Sequence, residues 1–237
     1  MTKIAALAQI ATSALAAEQE YCRALVLSGG ANMGAWEAGI LWGLAEYSET
    51  KSDYYYDVTT GISAGAINTA GIAGFSPEEL TESAQFLSDT WSSLYNKLIW
   101  QLWSGEGFIK GCLTEHGCLD DSPALAFLDG VLKGFPEGYK RRVTLASGNV
   151  NNGEFTTFDQ TNTDFSELHQ AALASGSIPG VFPPQLFKNA AFMDGGTIYD
   201  VNVISAVEQC MEIVDDESKI IIDIAICSPE KDPSYVP

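Results

Sequence analysis

Positive charge and histidine are scarce in this sequence. Of 237 residues only 12 are Lys or Arg, against 31 Asp or Glu, and the formal net charge at pH 7 is −19. A strand of phosphates would be repelled along most of such a surface, which argues against nucleic-acid binding. Electrostatic adsorption onto strongly anionic lipid is disfavoured for the same reason, whereas a neutral or zwitterionic interface stays accessible through apolar contacts. Histidine occurs twice, at His116 and His169. No stretch is long and apolar enough to span a bilayer. Cysteine occurs five times, an odd number, so complete pairing would leave one thiol free.

What is present is the composition of a packed globular domain, 46% hydrophobic and 18% charged. At this length one large α/β domain, or at most two small ones, is expected, burying roughly 70% of the surface of the unfolded chain. The first residues read differently. Lys3, the apolar run Ile4–Leu15 and the small-x-small ending Ala14-Leu15-Ala16 match a secretory signal peptide cleaved near Ala16 or Ala17. The alternative, an N-terminal helix packed on the domain, lacks a clean polar face. Cys112 and Cys118 bracket a short polar segment that a disulfide would close in an oxidising compartment, with buried thiols as the other structural reading. A zinc site at Cys112, His116 and Cys118 lacks both a fourth ligand and the usual ligand spacing.

Further along, Arg23–Ser28 reads as a strand, followed by Gly29 and Gly30 and a helical pattern. Tyr54–Thr60 and Ala64–Ala73 repeat the order strand, turn, helix. Arg142–Val150 and Glu154–Asp159 form a hairpin through Asn151-Asn152-Gly153. A helix is expected over Phe165–Ala174, another near Val203–Met211, and a strand buried on both faces over Lys219–Cys227. Between these, Trp91, Leu94, Tyr95, Leu98, Ile99 and Leu102 fall on one helical stripe, with Trp100 and Trp103 off it. That predicts either a core-packed helix with two partly exposed tryptophans or a lid that meets lipid. Strands alternating with helices give a three-layer α/β/α sandwich with a mostly parallel central sheet.

The chemistry concentrates at three places. Gly61-Ile62-Ser63-Ala64-Gly65 stands between a strand and a helix, the context in which G-x-S-x-G forms a nucleophile elbow that projects the Ser63 hydroxyl. A serine merely capping the helix is the plainer reading of the same residues. A nucleophilic serine needs a base, yet both histidines precede Asp194 and none follows it, so a triad in the order Ser, Asp, His cannot be assembled. His169 reads as a helix-surface or core histidine. Asp194, in Met193-Asp194-Gly195-Gly196, is the remaining candidate, although Asp-Gly alone is commonly just a turn. The third place is Gly29-Gly30-Ala31-Asn32-Met33-Gly34, a glycine turn into a helix whose outward N–H groups would bind a phosphate or an oxyanion. Its spacing fits a dinucleotide fingerprint poorly, with Ala31 where a glycine is wanted.

In this order the three pieces resemble the motifs of the patatin-like phospholipase family: the oxyanion loop Gly29–Gly34, the elbow Gly61–Gly65, and Asp194-Gly195-Gly196. Tyr56-Asp57 and Ala174-Ser175 through Pro183-Pro184 agree further. The resemblance spans about residues 23–227. It implies a Ser63–Asp194 dyad that hydrolyses fatty acyl esters of phospholipids or lysophospholipids. Gly29, Gly30 and Ala31 would form the oxyanion hole, no cofactor or metal would be required, and any membrane-interface contact would be transient. With the leader it implies a secreted protein or one of the secretory or endolysosomal pathway, made of a signal peptide over residues 1–16 and one acyl-hydrolase domain over 22–237, in a chain that stops where the family commonly continues. Ala31 and Met33 depart from the family, which usually has three consecutive glycines and then a basic residue. That departure leaves a catalytically weak lipid-binding protein as the alternative. The run after Gly196 also departs, Thr197-Ile198-Tyr199-Asp200 replacing an Asn and Pro that are frequent there.

Overall fold

The computed structural model describes residues 20–105 and 107–227; the expected leader lies outside them. Seven strands form one mixed sheet in the order β5-β6-β3-β2-β1-β7, with β4 paired to β3. The parallel part consists of β3 (Arg142–Asn149), β2 (Val58–Ile62), β1 (Cys22–Leu27) and β7 (Ile220–Ala225); β7 closes one edge of the sheet and is only half-buried, not buried on both faces as its apolar run predicts, because β1 is its one strand neighbour. The antiparallel flank consists of β4 (Phe155–Asp159), β5 (Gln185–Phe187) and β6 (Ala190–Asp194).

Side-chain alternation along β1 fixes the layers. Ala24 and Val26 face α8 (Val203–Met211), packing with Ala206, Cys210 and Val214. Leu25 and Leu27 face the other way, onto Leu41 of α1 (Gly34–Tyr47) and Ala84 and Leu87 of α3 (Leu80–Ser93). On that same face Ala66 and Ala70 of α2 (Ala64–Ile72) meet Val143 and Leu145 of β3, joined by α6 (Ser122–Leu132) and α7 (Leu168–Ser175). The result is the expected three-layer α/β/α sandwich, mostly parallel at its centre.

The expected helical stripe over residues 91–108 does not form. α3 ends at Ser93, α4 (Asn96–Ile99) is a single turn, and Gln101 bridges Asp120. The backbone turns extended at Leu94 and again at Trp100, so periodicity was satisfied by residues on separate elements. Trp103 donates its indole N–H to the Gly117 carbonyl at 3.0 Å. Trp103 thus tethers the segment, while Tyr95 is exposed. A disulfide joins Cys112, within α5 (Phe108–Thr114), to Cys118 just beyond it. It consumes both thiols and removes the zinc alternative. A second disulfide, Cys22–Cys210, ties β1 to α8, and Cys227 is the free cysteine among the described residues.

The first strand pair also departs in detail from expectation. The aromatic run Tyr54-Tyr55-Tyr56 precedes β2 rather than starting it, because Lys51–Tyr54 forms a 3₁₀ turn. Tyr56 is instead buried, its hydroxyl donating to Asp223 at 2.9 Å.

Candidate active site

The register of β3 brings Ser63 and Asp194 together. β2 runs parallel to β3 and ends with Ile62 opposite Ala146. β6 runs antiparallel to β3 and ends with Asp194 opposite Ser147. β4 occupies the other edge of β3, so β2 and β6 must share one edge, pointing head to head. Their C-terminal ends therefore converge, and residues 131 positions apart meet: Ser63 Oγ donates to Asp194 Oδ2 at 2.6 Å.

Ser63 adopts φ 52°, ψ −117°, a conformation that costs a non-glycine residue about 1–3 kcal/mol and persists only where the surroundings enforce it. Close packing of the turn enforces it. A Cβ on Gly61 would lie 2.1 Å from the Gly65 carbonyl oxygen, and one on Gly65 would lie 2.5 Å from that of Leu27. The serine does not cap α2 with its side chain, so the plainer capping reading fails.

The last residue of α7 and the stretch that follows it hold both partners. Ser175 Oγ accepts the Ser63 N–H at 2.8 Å and donates to the Ala146 carbonyl at 2.6 Å. The Ser177 carbonyl accepts the Asp194 N–H at 2.9 Å. Sequence reasoning assigned neither serine a part; the only signal was their place in the Ala174–Pro184 run. The disulfide-closed segment joins this run too, Cys118 and Leu119 donating to the carbonyls of Gly180 and Val181.

Asp194 and Ser63 are both buried, 6% and 5% exposed. Burial raises the Asp194 carboxyl above its ordinary range, opposed by the Ser63 hydroxyl and the Gly196 N–H, and aided by the nearby charge of Asp200. The Gly196 N–H donates to Asp194 Oδ1 at 2.8 Å, leaving Oδ2 to the serine. Ile62 borders this site, its Cγ2 lying 3.2 Å from where a Gly195 Cβ would be. Phe192 does not line it, being packed in the core against Phe158.

The glycine loop is only partly as expected. The Gly29 N–H donates to Asp200 Oδ1 at 3.1 Å and so is turned away from a reacting carbonyl. Among the described residues the N–H groups of Gly30 and Ala31 have no acceptor. Ala31 sits at φ 50°, the left-handed region that favours glycine. The Ala64 N–H lies in the first turn of α2, where no intrahelical acceptor exists.

Behind the loop lies a buried network that the sequence did not announce. Asn68 Nδ2 donates to both the Gly34 carbonyl and Glu37 Oε2 at 2.9 Å, while Trp91 Nε1 donates to Asn68 Oδ1 at 2.7 Å. Glu37 is fully buried, and burial pushes its carboxyl up to about 7. The Cys227 thiol beside it is pushed up to about 12, first by burial and then by Glu37. A carboxyl raised on folding contributes stability below its unfolded value near 4.5, and that contribution is lost as pH rises through about 7. Glu37→Gln keeps an acceptor for Asn68 and cannot ionise. Urea titrations should therefore show the wild type losing about 3 kcal/mol relative to this variant between pH 4.5 and 8. A pH-independent difference would overturn the assignment.

A family model described as patatin-like phospholipase matches residues 25–207. Among solved structures the chain is similar to VipD from Legionella pneumophila, at 14% identity and a TM-score of 0.46, over 87% of this chain and 50% of that one. The chain thus spans about half the length of that relative. None of the curated proteins matches. Matched over most of its length, the chain belongs to the patatin-like phospholipase family.

Proposed function

We propose that this chain is a lipid acyl hydrolase in which Ser63 attacks the ester carbonyl and Asp194 takes its proton. Membership of a phospholipase family supports the lipid class, and the 2.6 Å contact between the buried hydroxyl and carboxylate carries the mechanism. An ordinary aspartate is a poor base for a serine hydroxyl, and desolvation of Asp194 brings its basicity nearer to the task. As charge develops on the carbonyl oxygen, the free N–H groups of Gly30, Ala31 and Ala64 are the donors available to hold it; each well-aimed donor of this kind is worth roughly 3–4 kcal/mol. An acyl-enzyme forms on Ser63 as the alcohol leaves with the proton from Asp194. The same carboxylate then takes a proton from the water that attacks the acyl carbonyl and returns it to Ser63 Oγ as the ester bond breaks, freeing the fatty acid and restoring both residues. Phospholipids or lysophospholipids are the proposed substrates, met at a transient lipid interface. Secretion is proposed as well, and two disulfides favour an oxidising compartment.

The strained Ala31 and the diverted Gly29 N–H favour a second reading, a lipid-binding protein with little turnover. A fluorophosphonate probe separates the two. Covalent labelling at Ser63, lost in Ser63→Ala, is the expected result. An unreactive Ser63 in a protein that still binds lipid would support the binder.

A further inference from the structure

The residue that diverts the Gly29 N–H is itself part of the site's chemistry. Asp200 follows the dyad aspartate by six positions, in the connection to α8, and its side chain is exposed. Its Oδ1 accepts the Gly29 N–H at 3.1 Å, and its own backbone carbonyl accepts the same N–H at 3.3 Å. A Cβ at Gly29 would lie 2.4 Å from Asp200 Oδ1 and 3.3 Å from Ser63 Cβ, so carboxylate and nucleophile flank one glycine. A Cβ at Gly196 would lie 3.0 Å from Asp194 Oδ1 and 3.2 Å from Asp200 Oδ1, so the two carboxylates flank another. Asp200 Oδ2 has no hydrogen-bond partner among the described residues.

Among the described residues no cation is paired with either carboxylate. The described Lys and Arg ion pairs are made elsewhere, with Asp53, Glu79, Glu115, Asp129, Glu137, Glu167 and Asp215. The groups acting on Asp194 and Asp200 include no Lys or Arg. The loop itself supplies Ala31 and Met33. A reacting ester thus meets two neighbouring carboxylates beside the nucleophile, one serving the chemistry and the other exposed with a free oxygen.

We propose that Asp200 is a specificity-determining residue of this site, its carboxylate selecting acyl esters that carry an ammonium head group over those whose head group is net anionic. The inference rests on the acyl-hydrolase reading and deepens it. Coulomb's law gives the sense and the size. A unit charge several ångströms away in a half-exposed site changes the relative stabilisation of two such substrates by about three- to tenfold. Removing the Asp200 charge also removes its influence on Asp194, but that change affects every ester equally and cancels in a ratio of substrates.

Dihexanoyl phosphatidylcholine and dihexanoyl phosphatidylglycerol, both kept monomeric, test this without an interface. Fatty-acid release gives kcat/KM for each. The wild type should favour the choline lipid, and Asp200→Asn, which keeps an acceptor for Gly29, should shrink that ratio by about three- to tenfold. Asp200→Ser provides a second uncharged variant should the first fail to fold. Glu212→Gln is the control: it removes the same charge just past Cys210, which is bonded to Cys22 at the far end of β1. Its ratio should stay within about twofold of the wild type, since distant exposed charges are screened. An unchanged ratio in both Asp200 variants, or an equal fall in Glu212→Gln, overturns the inference alone. Undiminished release by Ser63→Ala overturns the hydrolase reading and this inference with it.

Discussion

Ser63→Ala should lower fatty-acid release by about 10⁴-fold or more while leaving the fold intact, because it deletes the attacking atom and nothing that holds the turn. The strained backbone of residue 63 is enforced by contacts that Ala would keep: the N–H bond to Ser175 and the close approaches at Gly61 and Gly65. Asp194→Asn should cost a comparable factor, since Asn fills the same space, accepts the Gly196 N–H and cannot take a proton. The two residues work as one unit, so the double variant should be no slower than the slower single one. A second result follows from burial of the base. Asp194 must be ionised to act, and its carboxyl titrates above the ordinary aspartate range, so activity should fall on acidification at a pH higher than an exposed aspartate would give. Initial rates across the acid limb, with thermal unfolding of each variant as the check on folding, measure all of this. Multiplicative losses in the double variant would mean that serine and aspartate act in separate steps.

The ends of the strands were legible where chemistry and local geometry coincide. Gly-x-Ser-x-Gly between a β-branched run and a small-residue helix locates Ser63, and Asn151-Asn152-Gly153 locates the β3–β4 turn, because each is set by backbone conformations that few residues adopt. Pairing was not legible. That β2 and β6 meet end to end on one edge of β3 is a property of register, and no residue in either strand encodes its neighbour. Position in the loop failed for a related reason. Gly29 looks like its neighbour Gly30 in sequence, but its N–H is claimed by a carboxylate 171 positions away. Glu37 shows the same limit: in a helix it reads as a surface charge, and only tertiary packing around Asn68 and Trp91 buries it. The stripe from Trp91 to Leu102 misled because an apolar period can be met by successive short elements as well as by one helix.

The largest stability effect should come from Cys22–Cys210, which closes 188 residues and encloses β2, β3 and β6 together with everything between them. The loss of unfolded-state entropy on closing a loop of that length corresponds to about 5 kcal/mol, against about 2 kcal/mol for the six-residue separation of Cys112–Cys118. Cys22 and Cys210 are also fully buried between β1 and α8, so their replacement adds a packing cost that the surface loop does not share. Replacing both by Ala should lower the melting temperature by about 10 °C or more, and replacing Cys112 and Cys118 by roughly half as much or less. Catalysis should respond differently. The Ser63–Asp194 contact is fixed by the register of β3 and by Ser175 and Ser177, none of which touches either disulfide. Activity per folded molecule of the Cys22/Cys210 variant should therefore match the wild type well below its own transition, and vanish with it on heating. Residual ellipticity and fatty-acid release followed on the same samples separate these outcomes. A loss of activity in fully folded protein would mean that the β1–α8 tie helps to aim the site, and equal melting shifts for the two pairs would mean that loop closure is not what the long bridge contributes.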